Sequence, residues 1–179
     1  MGAPMMAMWD WRMGDESSYY RVMGAPVDPG EYAKEMETMT PLYSTKVVAQ
    51  GGRHGSVKSD DGLLDLNLAL PKALGGNGGA TNPEQLFAAG YAACFENALL
   101  RVSREAKHHF SYDQVEVVAE IGLTRNEQGS FVLSASLAVT LEGVDQATGE
   151  EFVHRAHQIC PYSNAIRGNV EVAISVTVG

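Results

Sequence analysis

The stretch from Asn82 to Lys107 constrains this chain more than any other. Asn82 can cap a helix, and Pro83 suits the first helical position, where a missing N–H loses nothing. Gln85 can reach back to the N–H of the cap. No proline follows until Pro161. The spacing predicts one helix of about seven turns, roughly 35–40 Å long. Its first half, Leu86 to Phe95, is apolar around nearly its whole circumference, the pattern of a buried helix. In that half sits Cys94, one of 2 cysteines in the chain.

The elements around this helix follow from periodicity. Tyr43–Ala49 alternates with β-branched residues and reads as a strand. Gly51-Gly52-Arg53-His54-Gly55 is a turn, Ser56–Ser59 a returning strand, and Asp60-Asp61-Gly62 a second turn. Leu63–Leu70 alternates, with Leu64, Leu66, Leu68 and Leu70 on one face. After the helix, Val115–Leu123 and Phe131–Leu141 form a hairpin across Asn126-Glu127-Gln128-Gly129. Thr148–Gln158 is amphipathic at helical spacing, with Phe152, Ala156 and Ile159 apolar, and Val170–Val178 is a last strand. The order β-β-β-α-β-β-α-β, with strands in antiparallel groups, defines an α+β fold. A helix so apolar asks for more cover than one small sheet provides. A second copy of the chain is the simplest source, and Ala88, Ala89, Gly90, Ala92 and Ala93 permit close approach.

Residues 1–39 differ from the rest. They hold all 8 methionines and both tryptophans, show no sustained period, and are broken by Pro4, Pro26 and Pro29. They read as an extension, with a short helix near residues 31–38, and residues 40–179 as one domain. The formal net charge of −9 argues against a nucleic-acid binder and against anionic lipid. The longest apolar run is about half what a bilayer crossing requires. No basic segment followed by an apolar one opens the chain. A cytoplasmic protein without membrane insertion is expected, and there a cysteine pair points to catalysis, redox chemistry or metal binding.

Three site chemistries compete. Gly75-Gly76-Asn77-Gly78-Gly79 before a helix suggests a phosphate cradle. The phosphate-loop pattern, however, needs Gly-Lys-Ser/Thr where this chain has Gly79-Ala80-Thr81. Zinc would draw on His54, His108, His109, His154 and His157, but no His-Glu-x-x-His or Cys-x-x-Cys is present. The histidines read as solvated surface. A reactive thiol with a resolving partner fits Cys94 and Cys160. Cys160 lies at a helix end, before Pro161, in a polar turn. Burial disfavours the Cys94 thiolate, so a cation is needed beside it. Arg53, Arg101 and Arg167 are the candidates. Arg101 lies on the same helix face, but about 10 Å along the axis. Arg53 sits in the tight glycine turn, and Glu84, in the first turn of the long helix, could hold it.

Several motifs together resemble the organic hydroperoxide resistance branch of the Ohr/OsmC thiol peroxidases. They are Tyr43-Ser44-Thr45 with Gly52-Arg53-His54-Gly55, Ser59-Asp60-Asp61-Gly62, the block Gly78–Phe95, and Cys160-Pro161-Tyr162-Ser163-Asn164-Ala165. The likeness runs from about Leu42 to the C-terminus. It implies an OsmC-like fold and an intertwined homodimer with two active sites at the subunit interface. It implies that Cys94 is the peroxidatic and Cys160 the resolving cysteine, that Arg53 stabilises the thiolate, and that Glu84 orients Arg53. It further implies a cysteine-based reductase of organic and fatty-acid hydroperoxides, serving oxidative stress defence. No metal, haem or flavin is implied, and the external reductant is dihydrolipoamide or a lipoylated protein. The alternatives are an OsmC-branch peroxidase of broader preference and a non-catalytic redox sensor or ligand-binding module.

Overall fold

A computed structural model of the chain describes residues 41–179. The extension and the short helix expected near residues 31–38 lie outside the described residues.

Among the described residues, six strands form two sheets. The first has the order β1-β2-β3, with β1 Val47–Gln50, β2 Ser56–Ser59 and β3 Asp65–Asn67, all antiparallel. β2 has the bounds expected of it, whereas β1 and β3 are shorter than the alternation predicts. β2 is only four residues long between its two turns and pairs with Val47–Gln50, and β1 has the same length. Leu68 leaves the sheet for a single parallel bridge to Thr81. The Leu64–Leu70 face is therefore split: Leu68 is buried and Leu66 is 38% exposed.

The second sheet has the order β4-β5-β6. β4 (Val115–Arg125) and β5 (Phe131–Leu141) form the expected hairpin, paired from Val115↔Leu141 to Arg125↔Phe131. β6 (Val172–Val178) lies parallel to β5, Leu137 opposite Ile174. This corrects the all-antiparallel expectation. The chain leaves β5, crosses through two helices and re-enters in the same direction, and a helical crossover is what a parallel pair requires.

The long helix α1 runs Pro83–Glu105. At 23 residues it is about 34 Å long. The Asn82 side chain accepts the Gln85 N–H at 2.9 Å, as the sequence predicts. The return bond from Gln85 does not form, because its side chain accepts the Thr81 hydroxyl at 2.9 Å instead. At the other end, Lys107 has φ 62°. The His108 N–H reaches the Ser103 carbonyl at 2.8 Å and the Lys107 N–H reaches Arg104 at 2.9 Å. This is a helix stop that normally carries glycine. Lys107→Gly is expected to stabilise the fold by about 1 kcal/mol, since an L-residue is strained there. Urea unfolding checks it: an unchanged or lower midpoint would refute the strain.

Helix α2 (Gln146–Ile159) begins at Asp145, whose carboxylate accepts the Thr148 N–H at 2.9 Å. Its Phe152, Val153 and Ala156 are buried, but Ile159 is 42% exposed, so the apolar face ends one turn earlier than predicted. A short helix α3 (Pro161–Ile166) follows directly where a polar turn is expected. Pro161 occupies its first position, a signal the sequence did contain.

The core lies between α1, α2 and the β4-β5-β6 sheet. Tyr91, Phe95 and Leu99 of α1 meet Leu137, Val139 and Leu141 of β5, Val153 and Ala156 of α2, and Cys160. Within one chain, burial along α1 is heavier in the second half than in the apolar first half, where Tyr91 and Phe95 are the buried residues. Ala98–Leu100, Val102 and Ser103 are buried, whereas the apolar first half is largely half-buried. The first sheet is barer still: all of β1 and β3 is exposed, with Val47 at 48% and Val48 at 70%. Three short strands need an apolar face against something to be stable. Among the described residues only Val57 and Ser59 of β2 are buried, so most of this sheet lacks such cover.

Candidate active site

Two side-chain pairs form on α1. The first is Arg53 with Glu84. The turn that carries Arg53 begins at Gly51 with φ 79°, which an L-residue adopts only with strain. The turn is then pinned by the Leu68 N–H donating to the Gly55 carbonyl at 2.8 Å. Arg53 Nη1 donates to Glu84 Oε2 at 2.7 Å and Nη2 to Oε1 at 2.5 Å. This is the bidentate fork that arginine makes with a carboxylate. The Arg53 guanidinium holds the Glu84 carboxyl below the usual carboxylate range, against the opposing effect of partial burial. Glu84 also sits in the first turn of α1, where the helix dipole favours a negative charge. The pair's contribution to stability is fully present above the ordinary glutamate value. It is lost as pH falls through the lowered folded value.

The second pair is Cys94 with Cys160. Both are free thiols, Cys94 half-buried and Cys160 fully buried, with Sγ–Sγ 3.7 Å apart. Cys160 ends α2 and precedes α3, its N–H bonded to the Ala156 carbonyl at 2.8 Å. A disulfide is about 2.05 Å long, so joining them takes a small displacement. Burial pushes the Cys94 thiol up, and the adjacent Cys160 thiol adds to the rise. The backbone N–H of Tyr162 acts the other way. No arginine is among the groups acting on Cys94.

The sequence pairs Arg53 with Glu84 and Cys94 with Cys160, and the structure brings each pair together. It does not bring the pairs to each other within one chain. Glu84 and Cys94 are ten residues apart on one helix, about 15 Å along its axis. Arg101 is engaged elsewhere, with Glu105 at 3.1 Å, and Arg167 donates to the His157 carbonyl at 2.9 Å.

Three features near the thiols escaped sequence reasoning. Tyr91 and Ser163 are fully buried and share a hydrogen bond of 2.9 Å. Tyr162 stacks on Tyr91 with ring centroids 6.0 Å apart, over Gly90, where a Cβ would come 2.6 Å from the Tyr162 hydroxyl. His157, read as a surface residue, turns inward beside Phe95 (centroids 6.5 Å), and its Nδ1 is buried without a partner. Burial and the nearby Arg167 lower its pKa. His157 lies one helical turn before Cys160, the only hint of this in sequence. No group of three His, Cys, Asp or Glu side chains is placed to hold a metal among the described residues. No described helix is long and apolar enough to cross a membrane.

A groove of about 640 Å³ opens between the first turns of α1 and β4. Its walls include Leu74, Ala88, Val118 and Ile121, with Glu84 as a charged point.

The long helix of this α+β chain thus presents one thiol to a second thiol and carries an arginine–carboxylate fork at its start. Comparisons with known proteins identify the family. The family described as OsmC-like protein matches residues 76–175. An organic hydroperoxide resistance protein-like 2 of Staphylococcus epidermidis is 47% identical over 137 residues, 76% of this chain and 96% of that protein. OhrB of Bacillus subtilis is 43% identical over 136 residues, 75% of this chain and 98% of that protein. The crystal structure of an organic hydroperoxide resistance protein from Legionella pneumophila superposes with a TM-score of 0.73 at 50% identity, covering 78% of this chain and all (100%) of that one. The chain belongs to the Ohr/OsmC family, among the organic hydroperoxide resistance proteins, which are associated with peroxide detoxification and the response to oxidative stress.

Proposed function

We propose that the chain is a thiol peroxidase that reduces organic hydroperoxides, fatty-acid hydroperoxides among them, to alcohols. The observation that carries this reading is the pair of free thiols 3.7 Å apart, one reachable from solvent and one buried. Cys94 is the peroxidatic thiol. Its thiolate attacks the distal peroxide oxygen, the O–O bond breaks, and the alcohol leaves as Cys94 becomes a sulfenic acid. Cys160 resolves it to a disulfide, and a lipoyl-type dithiol, dihydrolipoamide or a lipoylated protein, restores both thiols by exchange. No bound cofactor takes part. Phe87 and Tyr162, ring centroids 5.8 Å apart, offer an apolar surface for the organic tail.

The working form is a homodimer in the cytoplasm. The exposed strands β1 and β3 and the half-buried first half of α1 support it. So does the distance between the two pairs. An Arg53 held about 15 Å along the helix from its own Cys94 can serve the partner's Cys94 if the α1 helices cross. There the guanidinium counters the burial that raises the thiol, and stabilises charge on the peroxide oxygens.

Steady-state assays with cumene hydroperoxide and dihydrolipoamide test the activity. Turnover is expected, with hydrogen peroxide the poorer substrate; no turnover with any alkyl hydroperoxide would overturn the reading. Mixing Cys94→Ser and Arg53→Ala subunits tests the shared site. Hybrids regain one working site if the partner supplies Arg53, and none if each chain uses its own.

A further inference from the structure

Tyr91 and Ser163 are fully buried polar residues to which the proposed chemistry assigns no role. Their hydroxyls meet at 2.9 Å although the residues stand 72 apart in sequence. Tyr91 lies one helical turn before Cys94 on α1, and Ser163 three residues after Cys160 on α3. Among the described residues this is the only oxygen-to-oxygen side-chain bond joining α1 to α3. It lies beside the one sulfur-to-sulfur contact between the same two segments. The neighbouring residues add to it. The Tyr162 ring lies against the Tyr91 ring at an interplanar angle of 16°, and the bare Cα of Gly90 makes room for it. Burial raises the Tyr91 phenol, so it stays protonated and able to donate.

We propose that Tyr91 and Ser163 form a clamp that positions the resolving thiol. They hold the start of α3 against α1, so that Cys160 Sγ stays within reach of an oxidised Cys94. The inference deepens the peroxidase reading and rests on it for the kinetic step. In that step Cys160 Sγ attacks the Cys94 sulfenic sulfur. An S–S bond forms and the S–O bond breaks. The thiol proton and the departing hydroxyl leave as water, with the Cys160 sulfur oxidised and the sulfenic sulfur reduced. A thiol that drifts by even 1 Å can lose about 100-fold in such an intramolecular step. The unresolved sulfenic acid is then open to a second peroxide and to sulfinic acid. Tyr91 and Ser163 are thus positioning residues, since their hydroxyls bond to each other and the step is carried by the two sulfurs.

The test uses the full chain as wild type, Tyr91→Phe, Ser163→Ala and the double variant. Removing one hydroxyl strands the other in the core; removing both spares that penalty, so the double variant is expected to fold at least as well as the singles. Two readouts separate positioning from stability. In glutathione redox buffers, the equilibrium constant for the Cys94–Cys160 disulfide is expected to fall about tenfold in all three variants, about 30 mV in potential. With cumene hydroperoxide, dimedone trapping is expected to show sulfenic acid forming at the parental rate. Intact mass is expected to show more sulfinic acid and less disulfide. A double variant whose disulfide equilibrium lies within twofold of the parent overturns the clamp. Failure of the parent to form sulfenic acid would instead overturn the peroxidase reading, and the glutathione equilibrium would still decide the clamp.

Discussion

Cys94→Ser is expected to abolish hydroperoxide turnover, a loss of at least about 1,000-fold, because removing a nucleophile leaves only binding. Serine keeps the shape of the thiol, and Phe95, Tyr91 and Cys160 around it stay packed, so the fold should survive. Cys160→Ser should behave differently. It should still consume one equivalent of hydroperoxide, arrest at the sulfenic acid and fail to cycle with a dithiol. The contrast assigns the roles. Residual turnover in Cys94→Ser would move the nucleophile elsewhere. A Cys160→Ser variant that cycles at the parental rate would remove the intramolecular disulfide from the mechanism. Rapid quench followed by intact mass reads both outcomes.

Arg53→Ala carries the second largest expected effect. Within one chain, burial holds Cys94 above the ordinary thiol value, and a thiol near or above 8.5 is at most a few per cent thiolate at pH 7. An opposite charge within about 4–6 Å can lower such a group by roughly 1–3 units. Losing Arg53 should move the pH profile of Cys94 alkylation upward by a similar amount, about tenfold in thiolate for each unit. Turnover should fall further, by on the order of 100-fold in all, since the same guanidinium would stabilise the transition state. Glu84→Gln should shift the profile less, because it loosens the fork without removing the cation. An alkylation profile unchanged in Arg53→Ala would take Arg53 out of the mechanism. So would a profile that moves downward.

These two predictions draw on different parts of what the sequence makes legible. Local rules worked where their physics is local. Asn82 and Pro83 start α1 where the cap requires, and the β4–β5 hairpin matches its alternation to the residue at Phe131–Leu141. They failed where a neighbour decides. β1 is no longer than the β2 it pairs with, and Gln85 bonds to Thr81 rather than closing the capping box. Cys160 looked like part of a polar turn but is buried, since α2 and α3 fold the chain back over it. The motifs made four candidate residues legible, Arg53, Glu84, Cys94 and Cys160, and with them the two side-chain pairs. That the two pairs stay apart within one chain was not legible, because motif spacing holds no distances.

The Asn82–Lys107 stretch shows the division. Its residue types determine a capped, apolar helix with a thiol on it, because helix period and capping depend on residues only three or four positions apart. That Cys94 lies 3.7 Å from Cys160 was decided by tertiary structure alone. So was the separation of the Arg53–Glu84 fork from Cys94 along the helix. Tyr91 and Ser163, 72 residues apart, meet only after α1, α2 and α3 have closed on one core. Contacts of that range depend on how whole faces pack, and no single stretch of the chain encodes them.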